Sequence, residues 1–111
     1  MTSELTRLEL ASAISVAARA GRLRRPRLFI DRFDADCNDD GPIVLLRLDP
    51  ETVFPLAHRL LMEYEVRTLD AIHLAVASTS ARELAGEEPV VFVTRDQRQA
   101  AAAIAVGLTA A

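Results

Sequence analysis

Three carboxylates in this 111-residue chain stand where they could do chemistry. Glu9 lies in a stretch that reads as a helix, beside Leu5 and Leu8 and on or close to its apolar face. Asp70 opens the run Leu69-Asp70-Ala71-Ile72-His73-Leu74-Ala75 and is surrounded by apolar residues. Asp96 follows the apolar stretch 90–93, at the carboxyl end of an expected strand. In open parallel α/β sheets that rim is where ligands bind. Taken singly, Asp70 and Asp96 each have a simpler account as helix caps. Glu9 is harder to set aside, because charged groups are rarely buried unpaired. Two carboxylates about 4 Å apart repel by about 4 kcal/mol at an effective dielectric near 20. A hard divalent cation removes that cost, and Mg²⁺ takes a few carboxylates together with waters and phosphate oxygens. Such a centre can generate a hydroxide nucleophile and stabilise a phosphodiester transition state. The expectation is therefore that Glu9, Asp70 and Asp96 share one pocket at the carboxyl edge of a parallel sheet.

Other chemistries fall away. Asp34, Asp36 and Asn38 alternate as in a calcium loop, but Asp39 stands where the loop needs Gly and Leu45 where it needs a bidentate Glu. His58 and His73 lie on different expected helices, without a second His or Cys at metal-ligand spacing. The single cysteine, Cys37, forms neither an internal disulfide nor a Cys-rich zinc site. There is no glycine-rich phosphate loop and no nucleophile elbow. All thirteen basic residues are Arg, and five of them fall between Arg19 and Arg27. Arg forks grip phosphate or carboxylate bidentately, although charge runs are more often a solvated surface. A net charge of −3 argues against a general nucleic-acid coat protein.

The elements that must position the acids are legible in outline. The length suits one domain, at roughly 100–200 residues per domain. Half the residues are hydrophobic, which excludes low-hydrophobicity disorder. Aromatics are 5% and Trp is absent, so the core must be aliphatic and alanine-rich. No apolar run approaches a membrane span, and Glu4, Arg7 and Glu9 interrupt the N-terminal one, so the expectation is a cytoplasmic protein. Helical spacing runs from residue 3 to about 20, with Thr2 or Ser3 as cap and Gly21 as the stop. Pro26 opens a short helix to about Phe33, and residues 31–41 read as an acidic turn. Residues 43–48 and 89–93 read as strands buried on both faces. Asp49-Pro50-Glu51 starts a helix to about Glu65, and another runs from about Thr68 to just before Gly86. Thr94-Arg95-Asp96 makes a tight corner into an Ala-rich helix ended by Gly107, after which Leu108-Thr109 starts an edge strand. Strands alternating with helices imply a parallel sheet with helices on both sides.

Three segments resemble motifs of the PIN-domain ribonucleases. Thr2-Ser3-Glu4-Leu5-Thr6-Arg7-Leu8-Glu9-Leu10 looks like their second motif. Arg67-Thr68-Leu69-Asp70-Ala71-Ile72-His73-Leu74-Ala75 looks like the third, and its Asp-Ala-Ile-His-Leu-Ala core is the most specific piece. Phe92-Val93-Thr94-Arg95-Asp96, with Ala101 and Gly107-Leu108 after it, looks like the fourth. The order and spacing agree along essentially the whole chain, and the nearest group is the VapC-like toxins of toxin–antitoxin pairs.

The resemblance implies a PIN-like three-layer α/β/α fold with a short parallel sheet, in a single domain over residues 1–111. The family begins with a strand carrying its first catalytic Asp, and nothing in residues 1–111 matches it, so that N-terminal strand is expected to be missing. By resemblance Glu9, Asp70 and Asp96 are catalytic and metal-binding, Asp70 most firmly, and Thr94 orients the carboxylates by hydrogen bonding. The implied function is a Mg²⁺-dependent (or Mn²⁺-dependent) endoribonuclease toxin, a hydrolase acting on RNA. The implied partners are a small antitoxin protein and a second copy in a homodimer. The alternative is a catalytically impaired PIN remnant that serves as a binding module.

Overall fold

Capping chemistry sets the first helix. The computed structural model describes all residues 1–111. They fall into two units, Met1–Leu45 and Leu46–Ala111. In the first unit a two-residue strand, β1 (Thr2–Ser3), leads into α1 (Leu5–Arg19). The Ser3 hydroxyl oxygen accepts from the Leu5 N–H at 3.2 Å, but the cap position of α1 is Glu4, later in the chain than the expected Thr2 or Ser3. The Thr2 N–H donates to the Val44 carbonyl at 2.9 Å. Gly21 ends the helix at φ +71°, a conformation that costs glycine nothing and other residues about 1 kcal/mol or more.

Pro26 begins α2 (Pro26–Asp36), as its fixed φ favours. The helix runs three residues beyond the expected end at Phe33 and takes in part of the stretch read as an acidic turn. The reason is spacing. Arg32 and Asp36 are four apart, and their ion pair at 3.1 Å supports the last turn. Arg7 on α1 also grips Asp34 on α2 with two bonds, Nε to Oδ1 at 2.8 Å and Nη2 to Oδ2 at 2.9 Å. Such bidentate pairs fix geometry as well as charge.

The bond from Arg7 holds the Asp34 carboxyl below the ordinary carboxylate range. A depressed native pKa means that the unfolded chain binds more protons in acid. The pair's contribution is thus present above the unfolded Asp value of about 3.9 and is lost as pH falls through the lowered native value. Asp34→Asn should lower thermal stability at neutral pH and change it little in strong acid. The side chains are 48% and 41% exposed, so the effect should be small and should shrink further in salt. Melting curves across pH check this, and an equal loss at both ends would contradict it.

The next strand along the chain is β2 (Leu45–Leu46), and in the second unit Asp49 caps α3 (Pro50–Glu63) as its sequence predicts. Its Oδ1 accepts from the Glu51 N–H at 3.2 Å and its Oδ2 from the Thr52 hydroxyl at 2.8 Å. Next comes α4 (Thr68–Val76), a π-helical segment (Ala77–Ala81), and α5 (Arg82–Ala85). The Ser78 and Thr79 hydroxyls donate to the Ala75 carbonyl, at 3.3 and 2.7 Å, where the helical register widens. The chain then forms β3 (Val91–Phe92), α6 (Gln97–Ala105) and β4 (Thr109–Ala110). β3 and β4 pair in parallel, Val91 with Thr109 and Phe92 with Ala110. Gly107 makes the turn between α6 and β4 at φ +86°, and its carbonyl accepts from Arg82 Nη2 at 2.6 Å.

The core of this unit is aliphatic and alanine-rich, as composition requires. Val53, Ala57 and Leu60 of α3 pack with Ala71, Leu74, Ala75 and Val76 of α4 and with Ala102 and Ala103 of α6. The α/β class holds, with helices predominating. The strands correct the sequence reading in two ways. They are two residues long and form two separate pairs, where one parallel sheet was expected. They are also not buried on both faces. Val44, Val91 and Val93 are about half exposed or more, while Val90 and Phe92 alone of the second run pack on the core. The apolar content of those runs reports strand propensity, and only alternate residues find a covering face. No helix is long and apolar enough to cross a membrane.

Candidate functional site

Asp70 is the third residue of α4 and half-buried. It is not a cap: the cap position belongs to Arg67, and no side chain caps that helix. Asp96 does cap α6. Its Oδ1 accepts from the backbone N–H of Arg98 at 2.8 Å and of Gln99 at 3.0 Å. The N–H groups of Gln99 and Arg98, aided by the charges of Arg67 and Arg98, hold the Asp96 carboxyl below its ordinary range. It is therefore a firmly ionised group at neutral pH.

The two acids line one cleft. Its volume is about 370 Å³, and its walls are Glu65, Val66, Arg67, Asp70, Asp96, Gln97 and Arg98. A second cleft of about 580 Å³, between α3 and the end of α6, has Glu63 as its single acid. In the first cleft Asp70 and Asp96 are joined through Gln99. The Gln99 side chain donates from Nε2 to Asp70 Oδ1 at 3.4 Å, and its Oε1 accepts from the Thr94 hydroxyl at 2.6 Å. The Thr94 oxygen in turn accepts from the Asp96 N–H at 3.1 Å.

Thr94 thus reaches the carboxylates through Gln99; its hydroxyl does not bond them directly. Glu9 stands in the first unit, on an exposed face of α1 with Leu8 67% exposed. Its exposure removes the reason for suspecting a buried acid. The structure therefore brings Asp70 and Asp96 together in the second unit, and no group of three or more His, Cys, Asp and Glu side chains gathers to hold a metal.

Three lining or linking residues escape a search for acids. Gln99 is 8% exposed, and its signal was positional: it shares a helical face with Ala102 and Ala103, so a polar side chain there had to be buried. Arg67 opens the segment that carries Asp70, and Arg98 follows Asp96 by two. The Arg98 guanidinium pairs with Glu65 at 3.6 Å, and both side chains are well exposed. Such a pair holds the guanidinium loosely. Asp70 and Asp96, with Glu65 in the same lining, share the cleft with two guanidinium groups, an arrangement that can hold a cation and an anion side by side. No protein family, curated protein or solved structure matches this chain.

Proposed function

We propose that the chain is a metal-dependent endoribonuclease of the VapC-like toxin type, built on a PIN-like three-layer α/β/α fold. It cleaves RNA phosphodiester bonds, is neutralised by a small cognate antitoxin, and works in the cytoplasm as a homodimer. One observation carries the reading: Asp70 and Asp96 line a single cleft and are tied together through Gln99. The donor set fits Mg²⁺ or Mn²⁺. Mg²⁺ is commonly held by one or two carboxylates, with waters and substrate phosphate completing its shell. Asp96 receives both of its backbone bonds on Oδ1, which leaves Oδ2 to face a cation. Asp70 and Asp96 would hold the ion.

When bound, such an ion lowers the pKa of a water ligand and neutralises charge on the phosphoryl oxygens. The chain's own residues do the rest. Thr94 and Gln99 orient the acids. Arg67 and Arg98 line the same cleft and attract the phosphodiester. Asp96, ionised well below neutral pH, is ready without a prior loss of a proton.

A second reading has one observation in its favour. No cluster of three or more metal-ligating side chains gathers at the cleft, which suits a catalytically impaired PIN remnant acting as a binding module. Incubation of the purified chain with RNA in Mg²⁺ or Mn²⁺, against an EDTA control, separates the two. Cleavage abolished by EDTA is expected. RNA left intact in both metals would overturn the nuclease reading, and cleavage that survives EDTA would overturn its metal.

A further inference from the structure

We propose that Gln99 is a positioning residue that sets the relative placement of the Asp70 and Asp96 carboxylates, an inference that rests on the divalent-cation reading of their cleft. Gln99 donates to both acids. Its backbone N–H bonds Asp96 Oδ1 at 3.0 Å and its side-chain Nε2 bonds Asp70 Oδ1 at 3.4 Å. It thereby links the third residue of α4 to the cap of α6.

The amide has one sensible orientation. The Asp96 N–H already donates to the Thr94 oxygen, so the hydroxyl's single hydrogen is available to Gln99 Oε1 at 2.6 Å. That places Nε2 toward Asp70. Flipping the amide would turn its oxygen toward a carboxylate, acceptor against acceptor. Both ends of the side chain thus select the same arrangement.

Packing alone does not explain the residue. Gln99 is 8% exposed beside Ala102 and Ala103, where an apolar side chain would cover the core without desolvating an amide. Its side-chain polar atoms are spent on Thr94 and on Asp70 at the cleft, and no buried polar side-chain atom lacks a partner. A residue kept polar at such a position, with its bonds aimed at the two acids, is suited to holding them at a fixed separation. Groups that orient metal-binding side chains typically change metal affinity about 10–100-fold when removed.

Two variants of the full chain test this, with Mn²⁺ alone as the probe and thermal melting as the control for folding. Gln99→Met keeps the length of the side chain, removes its bonds to Thr94 and Asp70, and leaves the backbone bond to Asp96. It should weaken Mn²⁺ binding about ten-fold and lower kcat for RNA more than it changes KM. A merely structural role would shift the melting temperature and leave Mn²⁺ affinity of the folded chain unchanged. Gln99→Glu keeps the acceptor for Thr94 and sets a third carboxylate against Asp70, with Asp96, Arg67 and Arg98 around it. It should bind Mn²⁺ more tightly than the native chain at neutral pH. Native affinity in Gln99→Met, or in Gln99→Glu, would overturn the role of Gln99 while leaving the cation site standing. Absence of Mn²⁺ binding to the native chain would instead overturn the cation reading, and the role of Gln99 with it.

Discussion

Asp70→Asn is expected to reduce metal-dependent RNA cleavage by at least about 100-fold while leaving the fold intact. The substitution is nearly isosteric. The Asn side-chain oxygen can still accept from Gln99 Nε2, so the link from α6 to α4 survives. What disappears is one negative charge at the cleft. Asp96 then stands alone among the acids tied by Gln99, facing Arg67 and Arg98 across the same cleft. A cation that keeps Asp96 but loses Asp70, with Glu65 already paired to Arg98, is both more weakly held and less fixed in place. A misplacement of about 1 Å near the reacting atoms can cost about 100-fold. Single-turnover cleavage with saturating RNA, alongside thermal melting, measures both halves of the claim. Cleavage at the native rate would remove Asp70 from the site.

The second large effect is on stability. Leu74→Ala should destabilise the unit formed by residues 46–111 by about 3 kcal/mol. Leu74 is fully buried, within the cluster that joins α3, α4 and α6. Its neighbours include Val53, Leu60 and the small residues Ala71 and Ala75. An Ala-rich surround has few long side chains able to swing into the space that Leu leaves, so a cavity persists and adds to the lost transfer energy. The consequence reaches the cleft, because Leu74 seats the helix that carries Asp70, one turn along. Chemical denaturation gives the magnitude. A loss below about 1 kcal/mol would mean that the core collapses around the gap more readily than its composition suggests.

How much of this was legible in the sequence follows from what each signal measures. Asp49-Pro50 and Gly21 act locally, through a side-chain oxygen beside an open N–H and a backbone that tolerates positive φ. Both were read correctly, because nothing distant decides them. The strands were read too long and too deeply buried. Apolar β-branched runs mark where a strand is favourable, whereas ladder length and coverage depend on neighbours that only the folded chain supplies. α2 outlasts the turn that its acidic residues suggest, because Arg32 and Asp36 stand at helical spacing and pair. At the site, Asp70 and Asp96 were found because acids at a helix start and a strand exit stand out. Gln99 went unseen because a neutral amide carries no charge signal. Its importance comes from burial and from which acids it reaches, and both are tertiary facts.

The most direct measurement is a Mn²⁺ titration of the native chain beside Asp70→Asn and Asp96→Asn, with the free ion followed by electron paramagnetic resonance. Asn is a good helix cap, so the second variant should keep α6 in place and remove only charge. Saturable binding to the native chain that is lost in either variant is the expected result. Binding that persists unchanged in both variants, or a native chain that takes up no ion, would contradict a shared cation site at Asp70 and Asp96.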